Sequence, residues 1–279
     1  MTDRILFRLT AAGIPIQEGI VGRLNYTFLP ALAALCVGGC ASTGPTPDPF
    51  PDDVDATLAA GFDNITTLHS NAAVITSGTG SWQMDEGGGA ATITVDGSSY
   101  VLVANAASDV VTEPGWSKPV NYTRYPLSSG TEDGAFLLGE HLFIGAMVDA
   151  GGDYYLTQGG NETPSDGLPN MTVNYEGAWL VSEIAALSEA GIYEASANFD
   201  DGTMTFAIED DFGTSLGAGA GTISGSTFSS SFNLTGGGVV STNNVNGNFY
   251  GPNADEMAGL IQGTGGTGQT FGYLFGHQQ

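Results

Sequence analysis

The sequence predicts an all-β chain, a β-rich N-terminal region followed by a C-terminal eight-stranded antiparallel β-barrel. Three observations predict it. Glycine occurs 43 times, about twice ordinary usage, and glycine is costly inside helices but suits turns and close strand contacts. Charged residues make up only 13% and are almost all acidic, so the Lys and Arg that usually decorate helix surfaces are missing. Apolar residues alternate with Ser, Thr, Asn and Gly in short runs broken by Gly, Asn or Asp. That alternation is the period of a half-buried strand.

The N-terminal segment reads as an address rather than as part of the fold. Residues 28–39, FLPALAALCVGG, form an apolar stretch behind Arg23 and end in small residues before Cys40. The stretch is shorter than the roughly 20 residues that a bilayer span needs, and it has the layout of an export signal. Val37-Gly38-Gly39-Cys40 resembles the lipobox of bacterial lipoproteins. That resemblance implies cleavage before Cys40, a covalent lipid on its thiol and an acylated amine, with several chains giving stable anchoring. Ala41 follows in place of the Asp that retains many such proteins in the inner membrane, so the outer membrane is expected. Residues 1–39 are thus read as signal peptide, and residues 40–54 as the lipidated cysteine and a Pro-rich tether. The segment before Arg23 is long and carries Asp3 and Glu18. Initiation near Val21 is therefore expected, which N-terminal sequencing of the precursor would check.

Residues 55–165 are expected to form the β-rich region. Residues 55–70 would hold a short helical turn and a strand. Strands at 91–95 and 99–104 flank Asp96-Gly97, a hairpin turn pair. Residues 137–148 read as an apolar strand pair, and a turn at 149–153 leads into a strand at 154–157. Residues 159–169, polar with Gly and Pro, mark the boundary.

Residues 170–279 carry the barrel. Strands are expected at 172–181, 192–199, 204–209, 217–224, 227–234, 239–250, 257–263 and 269–275. Asp200-Asp201-Gly202 turns one hairpin, and SEIAALSEAG at 182–191 reads as a short helical connection. Closing eight strands removes exposed edges. Gly219, Gly221, Gly247 and Gly259 are expected at bends of the barrel wall. Polar residues alternating with apolar ones argue against a barrel that spans a membrane.

Residues 245–259, VNGNFYGPNADEMAG, resemble the hallmark run of transferrin-binding protein B-like surface lipoproteins. Tyr175-Glu176-Gly177-Ala178-Trp179 resembles the opening strand of their barrel, and residues 271–276, FGYLFG, the closing one. The resemblance implies an N-terminal handle-like domain, an eight-stranded barrel and an outer-membrane lipid anchor. In the hallmark, Phe249 and Tyr250 should point to opposite faces, with Asp255 and Glu256 in solvent at the turn. Family members bind host transferrin, haem or other host proteins. The transferrin-binding ones have two lobes and this chain matches one, so a smaller ligand or another protein is expected.

Composition narrows the chemistry. The net charge is −25, and only Lys118 and Arg124 are basic beyond Cys40. Nucleic acid is therefore not an expected partner, nor is electrostatic docking to anionic lipid. Cys36 and Cys40 are the only cysteines, which leaves the body without disulfides or thiolate sites. Gly213-Thr214-Ser215-Leu216-Gly217 matches a nucleophile-elbow spacing, with Asp255 and His277 following in order. Such an elbow needs a helix next, and Gly-rich sequence follows instead, while His277 near the chain end is expected to be mobile. Residues 263–268 match G-x-G-x-x-G but read as a hairpin loop. His69, His141 and His277 show no metal-ligand spacing. His141, Tyr154 and Tyr155 are the residue types that would serve haem as axial ligands, against a plainer packing role. The acidic groups at Asp149/Asp153, Asp200/Asp201 and Glu209/Asp210/Asp211 lack an EF-hand pattern and read as solvated turns. No catalytic set and no metal site are expected. The expected function is a monomeric, surface-exposed, non-catalytic binding protein on the outer membrane, serving nutrient capture or host-protein binding. The alternative is a structural or adhesive envelope lipoprotein.

Overall fold

The computed structural model describes residues 62–71, 74–84, 90–95, 97–103, 110–111, 122–128, 133–148, 151–183, 188–210, 212–235, 240–266 and 268–279. The signal segment, Cys40 and the tether lie outside the described residues. Every regular element described is a strand.

Nine strands come first: β1 (Phe62–Asn71), β2 (Val74–Met84), β3 (Ala90–Val95), β4 (Ser98–Val103), β5 (Val110–Val111), β6 (Tyr122–Ser128), β7 (Asp133–Leu138), β8 (Leu142–Val148) and β9 (Tyr154–Gly160). They form one sheet in the order β4-β3-β2-β1-β9-β8-β7-β6-β5. β9 returns to pair with β1, Leu68 opposite Leu156. The sheet curls until β4 approaches β6. Its inner face buries Ile65, Ile93, Val95, Phe136, Phe143 and Met147. At the expected hairpin turn Gly97 holds φ +82°, and Val95 pairs with Ser98 across it.

Eight strands follow: β10 (Thr172–Glu183), β11 (Ser188–Asn198), β12 (Thr203–Asp210), β13 (Ser215–Ser224), β14 (Thr227–Leu234), β15 (Ser241–Tyr250), β16 (Glu256–Gly265) and β17 (Gln269–Gln278). They close into a barrel. β17 returns to β10, with Tyr175 opposite Gln278 and Glu183 opposite Thr270. Strict alternation puts Met204, Phe206 and Ile208 of β12 and Phe228, Phe232 and Leu234 of β14 inside. Thr203, Thr205, Ser229, Ser231, Asn244 and Asn246 face out. An apolar interior behind a polar wall is the reverse of a membrane-spanning barrel.

The interior is filled. Tyr175, Trp179, Tyr193, Phe206, Phe228 and Phe249 belong to one packed cluster, and their rings meet at centroid separations such as 5.3 Å for Phe228 and Phe249. Glycine makes that filling possible. A Cβ on Gly247 would meet the Phe228 ring and the Ala258 carbonyl. A Cβ on Gly259 would meet the same ring, so these two of the expected wall glycines make room for Phe228.

The predicted helical connection at 182–191 is not formed as such. Ser182 and Glu183 continue β10, and Ser188 to Gly191 already belong to β11, with Ser182 opposite Ser188. Sheet pairing on both sides outweighs the local helical preference of this Ala- and Glu-containing run.

The sheet lies against the outer wall of β16 and β17. Leu142 and Ile144 of β8 pack with Tyr250, Ala258 and Phe275. Leu68, Ile75 and Leu156 pack with Leu260 and Phe271. This covering explains why Glu256 to Ile261 of β16 are buried on both faces.

Candidate functional site

The two barrel ends differ. Connections at 199–202, 225–226 and 251–255 make a turn end of tight hairpins. The other end, where β10, β12, β14 and β16 finish and β11, β13, β15 and β17 begin, is called the loop end. The starts of β2 and β9 in the sheet lie toward that same loop end. The Ile75 N–H donates to Gln269 Oε1 at 3.0 Å, and the Tyr154 ring lies 6.0 Å from that of Phe271.

Phe212 and Val240 stand on neighbouring connections of the loop end, 78% and 65% exposed. Just beyond β14, the Thr235 N–H donates to the carbonyl of Leu216 in β13 at 2.8 Å. Phe212 is held there by a built turn. The Asp210 carboxylate accepts the N–H of Thr214 at 2.8 Å and of Phe212 at 2.9 Å. Gly213 supplies φ +76°. Burial raises the Asp210 carboxyl slightly, but the bonds from Thr214 and Phe212 outweigh it and hold it below the usual carboxylate range. A large exposed ring with only two χ angles to order, carried on a turn whose backbone is held, suits a protein-binding anchor. Nothing in the alternation pattern marks Phe212, although its Asp-Phe-Gly-Thr setting is a turn signal.

On the sheet side of this end, His69 Nε2 lies 3.2 Å from Asp153 Oδ2. Its ring stacks on Tyr155 with centroids 4.4 Å apart. His141 is elsewhere, on the β7–β8 hairpin at the turn end. Leu142 pairs with Gly160 and Val148 with Tyr154, so His141 and the tyrosines are separated by about 20 Å, six strand residues. The structure does not bring His141 together with Tyr154 and Tyr155.

The remaining sequence candidates resolve by position. Ser215 opens β13 at the loop end, whereas Asp255 and His277 sit at the turn end, so the three form no constellation. Residues 263–268 do form the β16–β17 hairpin, with Gly265 N–H on the Gly268 carbonyl. Asp200 and Asp201 are tied by N–H bonds to Asn198 Oδ1. Asp149 and Asp211 lie outside the described residues, and no metal-holding group of three occurs among the described ones.

Two expectations at the turn end are corrected. His277 is 3% exposed, with Nε2 3.2 Å from Glu176 Oε1. It is therefore fixed rather than mobile, because β17 runs on to Gln278 as part of the barrel wall. Glu256 is not in solvent either, being 3% exposed. Its Oε2 accepts the N–H of His141 at 2.7 Å and of Leu142 at 3.1 Å, and its Oε1 that of Glu140 at 3.3 Å. Burial, first of all, pushes this carboxyl up to about 7, against the His141 and Glu140 contacts that favour the charge. Phe249 and Tyr250 do face opposite ways, Phe249 into the barrel and Tyr250 toward the sheet.

Comparison with known proteins agrees with this architecture. The family of "C-lobe and N-lobe beta barrels of Tf-binding protein B" matches residues 168–279. Among solved structures, isotype 1 transferrin-binding protein B from serogroup B Neisseria meningitidis superposes with a TM-score of 0.56 at 15% identity, covering 77% of this chain and 44% of that one. A Trp-176-Ala mutant of the protein from Haemophilus parasuis gives 0.55 at 17%, covering 77% and 45%. Intact Ap-TbpB, with N and C lobes, gives 0.53 at 17%, covering 77% and 46%. The chain thus spans less than half the length of these proteins, and at such identity the likeness is one of fold. No curated protein sequence matches it. Residues 168–279, the closed eight-stranded barrel, are thus the part of the chain that matches the barrels of Tf-binding protein B, and the sheet packed on that barrel completes a fold shared with those proteins.

Proposed function

We propose that this chain is a surface-exposed outer-membrane lipoprotein, anchored through Cys40, that binds a protein partner non-catalytically through its loop end in nutrient acquisition. The observation that carries the reading is Phe212, 78% exposed on a turn built by Asp210, with Val240 also exposed at the same end of the barrel. The filled barrel supports it, because a packed interior has no room for a small cargo and leaves binding to the surface. The resemblance of Val37 to Cys40 to a lipobox supports the anchor. The relatives are named for binding transferrin, and iron-bearing serum proteins are accordingly the partner class to try. With a net charge of −25, the chain favours a partner whose contact face is neutral or basic.

The test is capture of iron-loaded transferrin, and of whole serum, by immobilised mature chain and by Phe212→Ser/Val240→Ser. Retention by the wild type and a loss of about tenfold or more in the double variant, the order expected for truncating an interface anchor, would support the loop end. Equal retention by both would remove the loop end from the reading. No retention by the wild type would favour a structural envelope role.

A further inference from the structure

The junction between sheet and barrel holds a second arrangement of groups that partner binding does not use. Glu256 is the first residue of β16 and points out of the barrel into the sheet. The three donors that meet its carboxylate are backbone N–H groups of one hairpin, residues 139–142. That hairpin is closed by the Gly139 N–H on the Leu142 carbonyl at 2.8 Å, which aims the donors the same way. Leu142, Ile144, Tyr250, Ala258 and Phe275 surround the contact and exclude water. A carboxylate here is met by dipoles of the other domain, and no Lys or Arg contacts it among the described residues.

We propose that Glu256 and the 139–142 hairpin form a proton-controlled clasp that fixes the sheet to the barrel. The titratable groups around it are few. The hairpin brings Glu140 and His141, with His141 Nε2 3.7 Å from Glu140 Oε1 and 3.9 Å from Asp255 Oδ2. The turn before β16 brings Asp255. β15 brings Tyr250, which bridges to Glu162. β17 brings His277, the register partner of Glu256, itself 3.2 Å from Glu176 of β10. Acids outnumber imidazoles, so the clasp accumulates negative charge as protons leave.

The direction follows from linkage. Undocked, the Glu256 carboxyl is hydrated and titrates in the ordinary range. Docked, burial pushes it up to about 7. Docking therefore takes up a proton between those limits. The clasp is strongest below the ordinary carboxylate range and weakens as pH rises through about 7.

Two measurements on the full mature chain test this. The first is amide hydrogen exchange at 140–142 from pH 5 to 8.5, corrected for intrinsic rates, in wild type and Glu256→Gln. The glutamine keeps an acceptor for His141 and Leu142 but cannot ionise. Protection in the wild type should fall by about tenfold or more across the range, and should stay level in the variant. The second is carbon NMR titration of the Glu256 carboxyl in the wild type, with a midpoint near 7 expected. An equal fall in Glu256→Gln, or a midpoint in the ordinary carboxylate range, would overturn the clasp. Should the variant not fold, the carboxyl titration decides alone.

Discussion

The hydroxyl of Tyr175 donates to the Ala254 carbonyl at 2.7 Å from inside the barrel. Ala254 holds φ +59°, a left-handed conformation that alanine rarely adopts. The bond ties the β15–β16 turn to β10, and burial raises the Tyr175 hydroxyl far above its ordinary value, with the Asp255 charge adding to this. It stays a donor at any working pH. Replacing Tyr175 by Phe leaves a buried carbonyl without its donor and should cost about 1–3 kcal/mol, read as a lower denaturant midpoint at unchanged slope. The aromatic character of Tyr175 and the opposite facing of Phe249 and Tyr250 were legible from strand alternation. The donor's target was not, because 79 residues separate Tyr175 from Ala254 and no local pattern encodes that meeting.

At the level of elements, turn chemistry and alternation carried most of the strand positions. Asp201-Gly202 turns β11 into β12 with Gly202 at φ +64°. The sequence failed where a second layer intervenes. Glu256 read as a solvated turn residue and His277 as a mobile end, yet both are buried positions within β16 and β17, which run longer than expected. Leu142, Ile144 and the 139–142 hairpin, more than a hundred residues earlier, cover that wall. The run at 182–191 failed for a different reason, since pairing of β10 with β11 overrides its helical composition. The turn after β15 depends on Gly251, at φ +87°, where a Cβ would come within 2.5 Å of the His141 ring. Gly251→Ala should therefore cost about 2 kcal/mol or more. It should also disturb exchange at 139–142 before it disturbs the far end of the barrel, which amide exchange would map.

On the scale of the whole molecule, two sheets share one buried seam, and the barrel has its own closed core. Ile144→Asp would set a charge in the seam between Tyr250 and Phe275. Burying it unpaired is prohibitive, so the sheet should separate from the barrel, and calorimetry should resolve two transitions where the wild type shows one. The barrel transition should move least, because its interior ring cluster is untouched. The pairing of β10 with β17 has a further consequence, for biosynthesis. The strand that seals the cylinder is also the last of the eight to be made, and Phe271 and Phe275 on it supply part of the seam. A ribosome or export channel that has delivered seven staves has delivered an open sheet with two raw margins. Completion must await the final stave, so a holding chaperone has its work set for nearly the entire passage of the chain.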